Sequence, residues 1–247
     1  MRLRLDVAYH GAGFKGWQSQ ACGNAVQDHL ENAFAALCGE PVCLQGAGRT
    51  DAGVHAEAQS AHADVPADRM PLRQWPGALN AHLPAAIRIM GAQEVSTDFH
   101  ARFSAIGKIY RYTIWNGPAL PPLERDRVWH VPGAIDPERL AGACGLFTGT
   151  HDFAAFSARR RPEPRQTVRS VHAIHCEVAG SKIQLTFEGG GFLYKMVRIL
   201  AAAAIRHAAG RVTLEELAER LASGTPRFLQ TAPACGLCLV KVVYRVS

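Results

Sequence analysis

Strand-like stretches outnumber the helices available to connect them, and this limits the possible folds more than any other feature of the chain. Alternation of apolar and polar residues marks 2–9, 41–47, 58–65 and 86–94 in the first half, and 107–115, 170–178, 182–188 and 237–246 in the second. Amphipathic helical periodicity covers only 25–38, 71–81, 136–146, 191–209 and 213–222, the last opening on Thr213 and Glu216 at capping-box spacing. A parallel doubly wound sheet needs a crossover helix after nearly every strand, and too few are present. The expected fold class is therefore α+β, with largely antiparallel mixed sheets flanked by helices. Element order in the second half resembles that in the first without any sequence repeat, so two similar subdomains are expected, 1–105 and 106–247, with an active-site cleft between them.

The first loop raises a competing fold. Gly11, Gly13 and Gly16 in "AYHGAGFKGW" match G-x-G-x-x-G directly after a strand, the fingerprint of a dinucleotide-binding crossover. That motif works only if a helix starts among the glycines and aims its N-terminal amides at a pyrophosphate. Here the first amphipathic helix begins near Ala25, about ten residues too late. No acidic residue ends a second strand at the required distance either, since Glu31 lies inside that helix. These glycines are expected to form a strand-to-helix loop.

With 247 residues and 48% hydrophobic content the chain can bury a substantial core. Its apolar run "ILAAAAI" is far shorter than a membrane span and is flanked by Arg198 and Arg206, and its first residues alternate like a strand, so a soluble cytoplasmic protein is expected. The seven cysteines are irregularly spaced, which argues against a disulfide framework. Cys235 and Cys238 form a C-x-x-C, but a strand follows where a redox motif needs a helix, and no second ligand pair stands at zinc spacing. His172 and His175 lie three apart in a strand and so face opposite sides, poorly placed to share an ion. No metal and no cofactor is expected.

Charge is unevenly distributed. Residues 1–105 carry 8 Lys and Arg against 10 Asp and Glu, whereas the remainder carries 19 against 11, which puts the whole excess of +6 in the second half. Its densest part, "ARRRPEPRQTVR", holds Arg159, Arg160, Arg161, Arg165 and Arg169 in a proline-broken, non-periodic segment. Such a loop is suited to releasing counterions from a phosphate backbone, so nucleic acid becomes a candidate partner.

The stretch with most chemistry is "GAGRTDAGVHA", residues 46–56. Its glycines allow sharp turns, and its carboxylate, Asp51, is bracketed by Arg49, Thr50 and His55. Taken alone this is a polar turn with a local ion pair. In an extended loop, however, Arg49 and Asp51 can point into one pocket, where a guanidinium holds the carboxylate ionised and ready to act as nucleophile or base.

"GRTDAGVHA" closely resembles the catalytic loop of the tRNA pseudouridine synthases that act on the anticodon arm. "GFKGWQSQ" with "AVQDHLENAF" is similar to that family's N-terminal segment, "FHARFSAIGKIYRYTIWN" to its second motif, "GFLYKMVRIL" to its third, and "APACGLCLVKVVY" to its closing strand. The resemblance runs from about residue 3 to the end of the chain. It implies the pseudouridine synthase fold and conversion of uridine to pseudouridine at positions 38, 39 and 40 of tRNA, by a homodimer and without a cofactor. Carried over residue by residue, it makes Asp51 the catalytic nucleophile, Tyr110 the aromatic residue that stacks on the target base, and Arg198 the cation that pairs with the aspartate. It also implies RNA contacts for Arg49 and, more loosely, for Arg159, Arg160 and Arg169. Asp51 would either attack the sugar at C1′ or withdraw the C2′ proton, and the sequence leaves both routes open.

Two departures from the family pattern stand out. His10 occupies the usual place of an aspartate, and "RILAAAA" replaces the common continuation after Arg198. Two other function classes compete with this reading: a non-catalytic RNA-binding protein, which has no need of an aspartate-arginine pair, and a metal-dependent hydrolase using Asp51, His55 and His62.

Overall fold

A computed structural model describes residues 1–21, 23–158 and 166–245. In chain order it contains β1 (Arg2–Tyr9), α1 (Val26–Cys38), β2 (Gln45–Gly46), β3 (His55–Asp64), α2 (Trp75–His82), β4 (Ile87–Val95), β5 (Ala105–Trp115), β6 (Trp129–His130), α3 (Pro137–Phe147), β7 (Gly149–Asp152), β8 (Val168–Ala179), β9 (Lys182–Gly189), α4 (Met196–Ala208), α5 (Leu214–Ser223) and β10 (Leu237–Tyr244). The elements gather into two compact units, Met1–Ile106 joined by the chain from Cys238 onward, and Gly107–Leu237.

In the first unit the strand order is β4-β1-β3-β10. β1 runs antiparallel to both neighbours, with Leu5 opposite Ala61 on β3 and Ala92 on β4. β10 lies parallel to β3, pairing Cys238 with His55. Alternation along β1 buries Leu3, Leu5, Val7 and Tyr9 on one face. Helix α1 buries Val26, Leu30, Ala33 and Phe34, and the Phe34 ring meets Trp75 of α2 at 5.7 Å. The helix starts where the Asp28 carboxylate accepts the Ala25 amide at 2.8 Å and stops at Gly39, whose φ of 78° suits a residue without a Cβ.

The second unit carries β5-β9-β8-β7, antiparallel throughout, with β6 parallel alongside β5. Helix α3 packs on β8 and α4, and its first turn is capped by the Asp136 carboxylate, which accepts the amides of Glu138 and Arg139. The capping box expected for α5 is present: Thr213 Oγ1 accepts the Glu216 amide, and Glu216 accepts the Thr213 amide. The mixed, mostly antiparallel α+β architecture matches the expectation.

Several boundaries differ from the sequence reading, β3 starting at His55 instead of 58 and α2 at Trp75 instead of 71. The strand expected over 41–47 is reduced to Gln45–Gly46, because Leu44 gives its amide to Glu31 and its carbonyl to Gln27, both side chains of α1, instead of to a neighbouring strand. The helix expected from Gly191 begins at Met196, since Lys195 takes a left-handed conformation at φ 58° and interrupts the turn. Strands β6 and β7 were not anticipated; at two and four residues they are too short to show a period.

Candidate active site

Asp51 sits on a tight, heavily supported loop in the first unit. The Val54 amide donates to the Asp51 carbonyl at 3.1 Å, closing a four-residue turn whose third residue, Gly53, has φ 81°. That positive φ is the type II requirement and explains the glycine. On the upstream side the Ala47 amide donates to Ser60 O at 2.8 Å, and Gln59, fully buried on β3, donates from Nε2 to the Gly48 carbonyl at 2.8 Å. Buried Thr50 shares a 2.8 Å hydrogen bond with the Tyr9 hydroxyl at the end of β1. Asp51 itself is half-buried.

The glycine segment before α1 forms the other wall of this loop. The Trp17 amide donates to Thr50 O at 3.1 Å, and the Gly11 amide donates to His55 Nδ1 at 3.0 Å. A Cβ on Gly11 would fall 2.0 Å from Val54 O, and one on Gly16 would fall 3.1 Å from the Asp51 carbonyl carbon. The Trp17 indole packs against Gly46, where an added Cβ would be 2.3 Å from its Nε1. The first and last glycines of the G-x-G-x-x-G pattern thus pack against the Asp51 loop. Exposed Arg49 donates from Nε to Gln18 Oε1 at 3.1 Å, while Gln18 in turn donates to Gln27 of α1 at 2.7 Å, so the helix steers the guanidinium.

In the second unit Tyr110 lies on β5, only 8% exposed, with the Phe192 ring edge-on at 5.4 Å. Arg198 is the third residue of α4 and half-buried. Its Nε donates to Ala232 O at 2.8 Å, while the Ala232 amide donates to Arg198 O at 3.2 Å, so the extended segment before β10 clasps this turn of helix. Next to Ala232, Pro233 O accepts the Tyr112 hydroxyl at 2.8 Å. Burial drives the Tyr112 phenol well above its ordinary pKa, opposed by the positive charge of Arg198, so the phenol stays a fixed donor.

Of the remaining candidates, Arg169 on β8 turns its guanidinium back onto the carbonyls of Gln166 and Val168, and Arg159 and Arg160 lie outside the described residues. The His10 ring lies 4.6 Å from that of His55, tilted by 55°. Of the two histidines in the hydrolase reading, His55 Nδ1 accepts the Gly11 amide and His62 Nδ1 the Ala101 amide. Among the described residues no three His, Cys, Asp or Glu gather at ligand distance. Cys235, whose thiol pKa is raised by burial, donates to Val128 O, and neither it nor Cys238 forms a disulfide. Sequence reasoning missed Tyr9, Trp17 and Gln59, the side chains that build the Asp51 loop; the only available signal was the tryptophan directly after Gly16.

The tRNA pseudouridine synthase family matches residues 7–104 and 143–245. The chain belongs to this family. Asp51 and Arg198 fall inside the two matched segments, and Tyr110 falls between them. A protein named tRNA pseudouridine synthase A from Akkermansia muciniphila is 46% identical over 98% of this chain and 95% of its own length. One of the same name from Solidesulfovibrio magneticus is 47% identical, covering 98% of this chain and 91% of its own length. The tRNA pseudouridine synthase A 2 of Clostridium perfringens is 38% identical over 98% of this chain and 99% of its own length. Membership carries the enzyme class: an isomerase that forms pseudouridine from uridine in tRNA. No helix among the described residues is long and apolar enough to cross a membrane.

Proposed function

We propose that this pseudouridine synthase acts on uridines 38, 39 and 40 of the tRNA anticodon arm, with Asp51 as nucleophile. The reaction is atom-neutral. The Asp51 carboxylate displaces the base at C1′, breaking the N1–C1′ bond with its electron pair left on the base. The base turns, C5 bonds to C1′, and the carboxylate leaves. C5 then loses its proton and N1 gains one, so no cofactor or energy source is consumed. An ionised Asp51 is equally necessary if it first withdraws the C2′ proton.

Arg198 is assigned the cation that keeps the carboxylate ionised. Tyr110 is assigned the ring on which the everted base stacks, which offsets part of the few kcal/mol lost on unstacking it. Arg49 and the basic residues Arg159, Arg160 and Arg169 are assigned to the RNA backbone, whose A-form shape and phosphates carry most of the recognition. The enzyme is read as a cytoplasmic homodimer.

The observation that carries this reading is the support given to one half-buried carboxylate: the loop around Asp51 is fixed by Tyr9, Trp17 and Gln59, none of which a mere surface turn requires. Preorganisation of that kind is what a reacting group needs. Tritium release from C5-labelled uridine in unmodified tRNA tests it. The native enzyme should release label and Asp51→Asn should release none while still binding tRNA; release by Asp51→Asn at the native rate would remove Asp51 from the chemistry.

A further inference from the structure

In the first unit the chain from Phe99 to Ser104 presents an aromatic ring to solvent and holds it there. Phe103 is 76% exposed. The backbone beneath it is fixed on every side. The His100 amide donates to Ser104 Oγ at 3.0 Å, and the Ser104 amide returns to His100 O at 2.9 Å. Between them the Ala101 amide donates to buried His62 Nδ1 at 3.1 Å, and Ala101 O accepts the Tyr244 hydroxyl of β10 at 2.7 Å. Arg2 ties the start of the segment through the carbonyls of Thr97 and Phe99.

Two polar groups flank the ring. His100 Nδ1 accepts the amides of Arg102 and Phe103 at 3.1 and 3.4 Å, which puts the proton of the neutral imidazole on Nε2. The His100 ring lies 4.4 Å from Phe103, and the Arg102 guanidinium carbon lies 5.6 Å from the Phe103 centroid. Arg102 makes no ion pair with any described residue. A lone exposed phenylalanine is ordinary; one on a rigid backbone, between an uncompensated cation and an N–H donor, is arranged like a nucleobase platform.

We propose that Phe103, Arg102 and His100 bind an unpaired nucleotide of the tRNA other than the target uridine, the base stacked on Phe103 and a flanking phosphate on Arg102. The platform fixes where the anticodon arm lies and takes no part in bond breaking. A base presents the same flat face whatever its identity, so contact of this kind positions RNA without selecting sequence. The proposal rests on tRNA being the substrate.

Binding of unmodified tRNA to full-length Phe103→Ala, Phe103→Trp and Arg102→Ala, measured over a range of salt, tests it. Phe103→Ala should weaken binding roughly tenfold and Phe103→Trp should restore it. Melting temperature and kcat at saturating tRNA should not change. Arg102→Ala should flatten the plot of log K against log salt by about one unit. Native affinity in Phe103→Ala overturns the proposal, as does a changed sedimentation coefficient, which would make this face a protein contact. If the native enzyme isomerises uridine while Phe103→Ala binds normally, this inference alone fails; if the native enzyme isomerises none, the underlying reading fails.

Discussion

Gly16 and Thr50 approach so closely that a Cβ on Gly16 would lie 2.5 Å from the Thr50 carbonyl oxygen. The same oxygen accepts the amide of Trp17, so one peptide group next to Asp51 is held from two sides by the segment that precedes α1. The strand-to-helix loop and the Asp51 loop form a single packed body, although they are distant in sequence.

Alanine at the three glycines of "GAGFKG" separates the packing role from a nucleotide-binding one. Gly16→Ala meets both the Thr50 contact and a φ of 92°, and Gly11→Ala meets Val54 O at 2.0 Å. Each should lose roughly 1–3 kcal/mol of stability by urea denaturation and most of the isomerase rate. Gly13→Ala has nothing within 4 Å and should behave as native within about 0.5 kcal/mol. A Gly13 variant as damaged as the Gly16 variant would contradict the packing account.

Arg198→Lys should lower kcat by at least about tenfold while tRNA affinity holds. The guanidinium donates from Nε to Ala232 O at 2.8 Å, and its planar fork carries donors on two further nitrogens. A lysine ammonium is a compact point charge on a flexible stem, and its three donors lack the planar fork that would hold a carbonyl and a carboxylate in one fixed geometry. Single-turnover rates at saturating tRNA decide the matter, and a native rate would mean that charge alone suffices.

His62 should make stability depend on pH just below neutrality. Burial, and then the neighbouring charges of His100 and Arg2, lower its pKa in the folded protein below the ordinary value of 6.5. The unfolded chain therefore takes up a proton first as pH falls. Stability is complete above about pH 6.5 and declines below it until the folded pKa is reached, by at most about 1.4 kcal/mol per pH unit for one group. Urea midpoints at several pH values should show this slope in the native protein, and a smaller one in His62→Asn, whose amide oxygen takes the place of Nδ1 as acceptor for Ala101. Equal slopes would assign the effect to other histidines.

The α+β class, the helices α1, α3 and α5 and the Asp51 loop were legible from the sequence because each depends on short-range order. Periodicity along a few turns, a capping residue, or glycines around a carboxylate declare themselves locally. The start of α4 was not legible, since left-handed Lys195 carries no compositional mark. Nor was the fate of Leu44, whose backbone partners are side chains of α1 thirteen and seventeen residues away.

By itself the sequence determined most of the strands and helices and which acidic loop is the candidate for the chemistry. The tertiary structure alone decided what surrounds that loop: Tyr9 reaches Thr50 across 41 residues, and Gly11 reaches His55 across 44. It likewise placed the last strand beside β3 of the first unit, although the chain reaches it only through the second. Contacts between such distant positions depend on three-dimensional packing and hydrogen-bond satisfaction, which no local period or propensity encodes.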